Sequence, residues 1–90
     1  MTVPDTYKVI KSGTGYIVYQ MGKIIIVRME YIQPMTITGC PASLGYFTAL
    51  LQGTNTQNAG IARIYGDIVI VEHLPGMSDN LLGVLIYIAQ

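Results

Sequence analysis

Apolar and polar residues alternate along much of the chain with a two-residue period, which is the pattern of half-buried β-strands. The clearest example is the run 61–72, in which two such stretches flank Gly66 and Asp67. A two-residue Gly-Asp loop is typical of tight antiparallel hairpins, in which the glycine takes a positive φ. We therefore predict a hairpin in which Tyr65 faces Ile68 across the turn.

Strand alternation gives this hairpin two chemically different faces. One face is wholly apolar and is predicted to lie in the core; its residues are Ala62, Ile64, Val69 and Val71. The other face mixes apolar, aromatic and charged side chains, namely Ile61, Arg63, Tyr65, Ile68, Ile70 and Glu72. This mixture suits a partly covered surface, which is either a subunit contact or a platform for a ligand.

A second hairpin is predicted earlier in the chain, over residues 16–32. Its turn is expected near Met21 and Gly22, or within a four-residue loop over 20–23. Its return strand begins with four consecutive apolar residues, 24–27, so this half of the strand is expected to be covered on both faces.

From Arg28 the return strand alternates, which predicts Arg28 and Glu30 on one side and Met29 and Tyr31 on the other. The last strand, predicted over 81–90, is apolar on both faces for nine residues. Two strands of this kind in a short chain predict a second apolar contact beyond the core, with the last strand central and not at an edge.

Glycine and proline punctuate the rest of the chain, as expected where strands and turns alternate. The connection over 33–45 leaves room for a short strand at 36–38, and a further strand is predicted at 47–51. Two polar loops follow, over 52–58 and 73–80.

Composition extends this interpretation to the whole chain, because 28 of its 90 residues are Ile, Val or Thr, which favour strands. We predict an all-β fold, a small antiparallel β-barrel or β-sandwich of about six to eight strands. Residues 1–90 form one domain, and residues 1–13 are expected to be a connection to a neck or shaft.

Charge and hydrophobicity predict association between copies of the chain. The chain is 51% hydrophobic and only 11% charged, against about 25% charged in typical domains. A domain this small has too few polar side chains to cover its surface, so part of its apolar surface is expected to be buried between subunits. We predict a homotrimer built around 24–27 and 81–89. The net charge of zero leaves no basic surface for nucleic acid, and the longest apolar run is too short for insertion into a membrane.

The side chains offer little for catalysis. The chain has one His, one Cys and three Ser, none of them in a recognisable nucleophile motif, and no glycine-rich phosphate loop. We predict no enzymatic activity, no cofactor and no metal site.

The remaining class of function is binding of a neutral polar ligand, and a sugar with its hydroxyl groups is such a ligand. The candidate saccharide-binding residues are Arg63, Tyr65, Glu72 and His73 on the hairpin, with Asn55 and Asn58 from the loop of the same or a neighbouring subunit. The competing interpretation is structural: Arg63 and Glu72 form an ion pair across the strands, and His73 ends a strand by bonding to a loop.

Four features in this order carry a resemblance to a known family: a hairpin turning on Gly22, an Ala-Leu-Leu-Gln-Gly run at 49–53, the hairpin turning on Gly66, and an apolar last strand that reaches Tyr87. The succession resembles the C-terminal head domains of receptor-binding proteins and tail fibres from bacteriophages of Gram-positive hosts. The resemblance covers most of residues 14–90.

The resemblance implies a trimeric β-domain at the tail tip or baseplate of a virion, which binds saccharides of the host cell wall and contacts other tail proteins. The chain lacks the Leu-Pro, Gly, Arg-Pro run that often follows the second strand, and it has no Trp, so stacking on a sugar would fall to Tyr65, Tyr46 or another Tyr. The alternative function is purely structural, in assembly of the tail or virion without a ligand.

Overall fold

The computed structural model describes residues 8–55 and 57–90, and over these residues the chain forms eight β-strands and no helix. The strands are β1 (Lys8–Gly13), β2 (Tyr16–Met21), β3 (Ile24–Ile32), β4 (Met35–Ile37), β5 (Phe47–Gly53), β6 (Ala59–Tyr65), β7 (Ile68–His73) and β8 (Leu81–Ile88). The all-β prediction is confirmed. A helix long and apolar enough to cross a membrane is not found over the same residues.

All eight strands belong to one sheet, in the order β1-β2-β3-β8-β5-β6-β7-β4, and every neighbouring pair runs antiparallel. The sheet curls into a half-barrel, which agrees with the barrel alternative of the prediction. The last strand, β8, lies between β3 and β5, so the prediction that it is not an edge strand is confirmed.

The β6–β7 hairpin has the predicted register. Tyr65 pairs with Ile68 next to the turn, and Ile61 pairs with Glu72 at the far end. Gly66 has a φ of 62°, the left-handed conformation that this turn requires and that glycine adopts without steric cost.

The β2–β3 turn is a two-residue loop, as in the first of the two predicted alternatives, but it lies one residue later than Met21 and Gly22. Met21 pairs with Ile24, so the two-residue loop consists of Gly22 and Lys23. Gly22 has a φ of 60°, and because glycine suits the first loop position of a primed turn, it sets the register of this hairpin.

The two edges of the sheet are β1 and β4. Residues 8–13, expected to belong to a connection, instead form β1 and pair with β2, while the rest of the predicted connection lies outside the described residues. The lysines Lys8 and Lys11 fit an edge strand, because edge strands commonly carry charges that oppose aggregation. The predicted short strand at 36–38 is observed one residue earlier, as β4, which pairs with β7.

The core lies on one face of the curled sheet, and among the described residues 16 apolar ones are buried in it. They are Val18, Ile25, Val27, Met29, Ile32, Ile37, Cys40, Leu51, Ala62, Ile64, Val69, Val71, Leu81, Leu85, Tyr87 and Ala89. The four hairpin residues predicted to face the core are all among them.

A short segment, residues 40–44, closes one end of the half-barrel; we call it the end segment. Its Cys40 amide donates to the carbonyl of Asp67 in the β6–β7 turn at 3.1 Å. Its Leu44 amide donates to the carbonyl of Ile88 at the end of β8, at 2.8 Å. Through these bonds the end segment links the β6–β7 turn to the end of the central strand, and Cys40 itself is buried.

Tyr31 departs from the predicted alternation. The β3–β8 pairing shifts between Met29, which faces Gly83, and Ile32, which faces Leu81, so β3 contains one extra residue. This is a β-bulge, and it places Tyr31 outside with Glu30. The prediction that Tyr31 shares a side with the buried Met29 is therefore wrong.

The opposite face of β2, β3 and β8 carries rows of apolar side chains that point away from the core. Directly paired residues form two such rows, Met21–Ile24–Ile88 and Tyr19–Ile26–Ile86. In this chain Ile86 is 56% exposed and Ile88 is 44% exposed. We call this surface the outer apolar face; the second contact predicted from the sequence would have to cover it.

Candidate functional site

The β6–β7 hairpin places three of the predicted site residues on its outer face. Arg63 and Glu72 lie diagonally across the hairpin, because Arg63 pairs with Ile70 and Glu72 pairs with Ile61. The Arg63 guanidinium Nη2 donates to Glu72 Oε1 at 3.0 Å, which confirms the ion pair expected as the structural interpretation. Both side chains remain about half exposed, so the pair is also accessible to a ligand.

Tyr65 lies beside Tyr46, which precedes β5. Pairing of Phe47 with Ile64 brings Tyr46 to the end of β6, and the two tyrosine rings lie 5.8 Å apart at an interplanar angle of 33°. Tyr46 is 81% exposed and Tyr65 is 62% exposed, so the rings present aromatic surface that the core does not use.

These rings and Arg63 line an open depression of ≈ 480 Å³, which we call the aromatic cleft. Its lining residues are Tyr46, Phe47, Thr48, Arg63, Ile64, Tyr65 and Ile70. Its volume falls within the range of about 300–1,000 Å³ that is usual for ligand pockets. Sequence reasoning named Tyr46 as one possible stacking residue, but it missed Phe47 and Thr48, which reach the cleft through the β5–β6 pairing.

His73 does not join this group. It pairs with Gly60, and strand alternation directs its side chain to the face opposite that of its neighbour Glu72. Its ring nitrogen Nε2 donates to the carbonyl oxygen of Asp79 at 2.6 Å. This confirms the structural interpretation of His73 as a strand-end residue bonded to a loop.

The predicted loop residues lie near His73 and stabilise the turns there. The backbone amide of Asn55 donates to the Asp79 carboxylate, and the Asn58 carbonyl accepts a 2.8 Å bond from the Gly53 amide. A hydrogen bond from the Thr54 side chain, supported by backbone bonds from Asn55 and Asn80, holds the pKa of Asp79 below its usual value. The six predicted site residues thus form two groups, one in or beside the aromatic cleft and one at the loop end of the sheet.

Cys40 is the one thiol of the chain; it is the first residue of the end segment and is buried. Burial raises the pKa of the Cys40 thiol, which keeps it protonated at neutral pH, whereas the reactive form of cysteine is the thiolate. Among residues 8–55 and 57–90, no three His, Cys, Asp or Glu side chains lie close enough together to hold a metal ion.

The arrangement at the aromatic cleft is suited to reversible binding of a neutral polyol. Two exposed rings offer apolar surface, and the charged pair beside them offers donors and acceptors for charge-assisted hydrogen bonds. The chain was compared with protein-family models, with curated proteins and with solved structures, and none of these matches it.

Proposed function

We propose that this chain is an adhesion domain that binds a saccharide of the host cell surface, as the receptor-binding head of a bacteriophage tail. The observation that carries the proposal is the aromatic cleft beside the Arg63–Glu72 ion pair. Its placement at the tail tip or baseplate, with other tail proteins as neighbours, rests on the family resemblance of the sequence.

The cleft combines the two kinds of contact that a sugar ring needs. One side of a pyranose ring carries C–H groups, which pack against aromatic rings such as Tyr46 and Tyr65. The sugar hydroxyls both donate and accept hydrogen bonds. Arg63 can donate to them and Glu72 can accept from them, and the two side chains lie 3.0 Å apart.

The ion pair contributes little to the stability of the fold, so both side chains are available to a ligand. Exposed ion pairs stabilise a fold by about 0–1 kcal/mol, and both members of this pair are about half exposed. A ligand that accepts from Arg63 and donates to Glu72 would exclude water from the pair and strengthen each bond.

A second candidate function, assembly of a tail or virion without a ligand, is favoured by the outer apolar face. Its apolar rows span β2, β3 and β8 and include Ile26 opposite Ile86. We propose that this face forms the contact of a homotrimer, because burying such rows between subunits removes apolar surface from water. The two functions are compatible, since the strands that line the aromatic cleft are β5, β6 and β7, on the other half of the sheet.

The experiment is binding of the purified protein to a glycan array and to Gram-positive cell-wall polysaccharide, with Arg63→Ala and Tyr65→Ala compared with the original chain. Loss of one charge-assisted hydrogen bond is worth about 1.5–3 kcal/mol, so Arg63→Ala should weaken binding roughly 10- to 100-fold. The matched control is Lys23→Ala, which removes one positive charge from the exposed β2–β3 turn.

Three outcomes separate the candidates. Weaker binding by Arg63→Ala and Tyr65→Ala, with the control and the melting temperature unchanged, supports the saccharide function. Binding that none of the substitutions affects shows that the aromatic cleft is not the site. An oligomeric protein that binds neither the array nor the polysaccharide supports assembly alone.

A further inference from the structure

Tyr31 lies at the shared wall of two depressions on the outer surface of β3. One, of ≈ 270 Å³, lies between Tyr31 and the β1–β2 turn and is lined also by Gly15 and Tyr16. The other, of ≈ 460 Å³, lies between Tyr31 and β8 and is lined also by Gly83 and Val84. The Tyr31 side chain therefore projects between two concave surfaces.

The backbone at Tyr31 adopts a conformation that is unfavourable for a tyrosine. Its φ is 52°, and among the described residues it is the one non-glycine residue with a positive φ. Left-handed conformations are disfavoured for residues with a bulky side chain, and bulges of this kind usually place glycine there.

Packing does not account for a tyrosine at this position. Tyr31 is 65% exposed, so the core gains little from its ring. Glycine or asparagine would form the same bulge with less strain. Residues held in sparsely populated conformations cluster at functional sites, and here the residue in that conformation carries an exposed aromatic ring.

The groups beside Tyr31 repeat the chemistry of the aromatic cleft. Arg28 Nε donates to Glu30 Oε1 at 2.9 Å, and both side chains are about half exposed and line both depressions. Hydrogen bonds to Glu30 and Tyr19 raise the pKa of Arg28 above its usual value. Glu30 is held in place by its amide, which donates to the Gly15 carbonyl at 2.9 Å.

We propose that Tyr31, Arg28 and Glu30 form a second saccharide-binding site, separate from the aromatic cleft. It lies beside the two apolar rows of the outer apolar face and not within them, in the next row, where Arg28 pairs with Val84. The ligand class rests on the proposed function, because this site, like the aromatic cleft, combines a tyrosine ring with an Arg–Glu pair. The depressions at Tyr31 and the aromatic cleft have no lining residue in common, so each site can be tested alone. Two sites on one subunit would allow a polysaccharide to bind with higher avidity than either site provides.

The test is nuclear magnetic resonance of the isotope-labelled full chain during titration with sugars. The probes are N-acetylglucosamine, glucose, galactose and rhamnose, each at high millimolar concentration, and then Gram-positive cell-wall polysaccharide. We expect the amide signals of residues 28–31 and 83–84 to shift with at least one probe. Tyr31→Phe, which keeps the ring, should retain these shifts, and Tyr31→Asn should weaken the affinity about tenfold or more.

Tyr31→Asn also separates a binding role from a structural one. Asparagine tolerates the left-handed conformation, so this variant should melt at the same temperature as the original chain or higher. Intact folding with unchanged sugar affinity would overturn the proposal.

The remaining outcomes distinguish this inference from the proposed function. Shifts confined to the signals of Tyr46, Arg63 and Tyr65 overturn the second site and leave the aromatic cleft. Shifts confined to residues 28–31 and 83–84 support the second site and overturn the cleft. If no probe shifts either set, both fail. Changes at Tyr31 that follow protein concentration without sugar identify a subunit contact and overturn the second site.

Discussion

The Tyr87 ring is fully buried in the core, and its hydroxyl donates a 2.8 Å hydrogen bond to the carbonyl oxygen of Pro41. Tyr87 belongs to the central strand β8, and Pro41 belongs to the end segment. The bond therefore joins the middle of the sheet to the segment that closes one end of the half-barrel. Burial raises the pKa of Tyr87 well above the usual value for a phenol.

We predict that Tyr87→Phe destabilises the protein at neutral pH and changes its response to alkali. Loss of the bond to Pro41 should lower the free energy of unfolding by about 1 kcal/mol. The raised pKa means that the stabilisation from neutral Tyr87 is fully present below the unfolded pKa of about 10 and is lost as pH rises from there through the folded pKa. Denaturant unfolding at neutral and alkaline pH measures both effects.

The matched control is Tyr46→Phe, because Tyr46 is 81% exposed. It should leave both the stability at neutral pH and the alkaline loss unchanged. If Tyr87→Phe lost stability in alkali as steeply as the original chain, burial of the phenol would not be the cause of that loss.

Asp79 provides a test at the acidic end of the pH range. Its pKa is lowered, chiefly by the hydrogen bond from Thr54, so its contribution to stability is present above the unfolded pKa of about 3.9. As pH falls through the lowered folded pKa, the carboxylate is protonated and that contribution is lost. Asp79→Asn should therefore be less stable at neutral pH and should lose less stability on acidification.

Thermal unfolding followed by circular dichroism from neutral pH to about pH 2 would measure the dependence on Asp79. Asp67→Asn, in the exposed β6–β7 turn, is the control and should keep the acid dependence of the original chain. Equal acid dependence in Asp79→Asn and the original chain would contradict the assignment.

Local signals in the sequence predicted the β6–β7 hairpin correctly. The Gly66–Asp67 loop fixes the register, and strict alternation on both sides then fixes which side chains are buried. The same alternation rule already separates His73 from Glu72, because adjacent strand residues point to opposite faces. The separation of His73 from the hairpin residues Arg63, Tyr65 and Glu72 could therefore be predicted from the sequence.

Features that depend on a bulge or on distant pairing could not be predicted in this way. The bulge in β3 contains Tyr31 in place of the glycine that usually marks such a bulge, so the sequence pattern did not predict it. The contact of Tyr46 with Tyr65 depends on the register between β5 and β6, whose connection contains no tight-turn signal. The path of the end segment depends on hydrogen bonds to the other end of the chain, such as the bond between Leu44 and Ile88.

Gly60 allows a test of packing between strands. A Cβ atom at this position would lie 2.6 Å from the carbonyl oxygen of Glu72 and 2.5 Å from Leu81 Cδ1. The backbone oxygen cannot move without disturbing the β6–β7 ladder, so Gly60→Ala should destabilise the fold by roughly 1–3 kcal/mol.

Gly45→Ala is the control for this substitution, because no atom lies within 4 Å of its added Cβ. It should change the free energy of unfolding in denaturant by no more than about 0.5 kcal/mol. Equal stability of the two variants would show that the strands beside Gly60 can move apart without loss of stability. It would contradict the prediction that an added Cβ atom clashes with Glu72 and Leu81.

The outer apolar face allows the proposed homotrimer to be tested without unfolding the subunit. Ile86 is 56% exposed in the single chain, so Ile86→Lys places a charge at a position that is already open to water. If β8 forms the subunit contact, the same charge becomes buried without a partner in the assembly, at a cost of several kcal/mol. We therefore expect the original chain to sediment as a trimer at micromolar concentration and Ile86→Lys to sediment as a folded monomer.

Leu44→Lys is the matched control, because Leu44 is 66% exposed but belongs to the end segment and not to the outer apolar face. It should leave the trimer intact, which separates loss of a specific contact from a general effect of added charge. Circular dichroism of both variants checks that the fold is retained. A monomeric original chain, or a trimer that survives Ile86→Lys, would show that the subunits do not associate through β8.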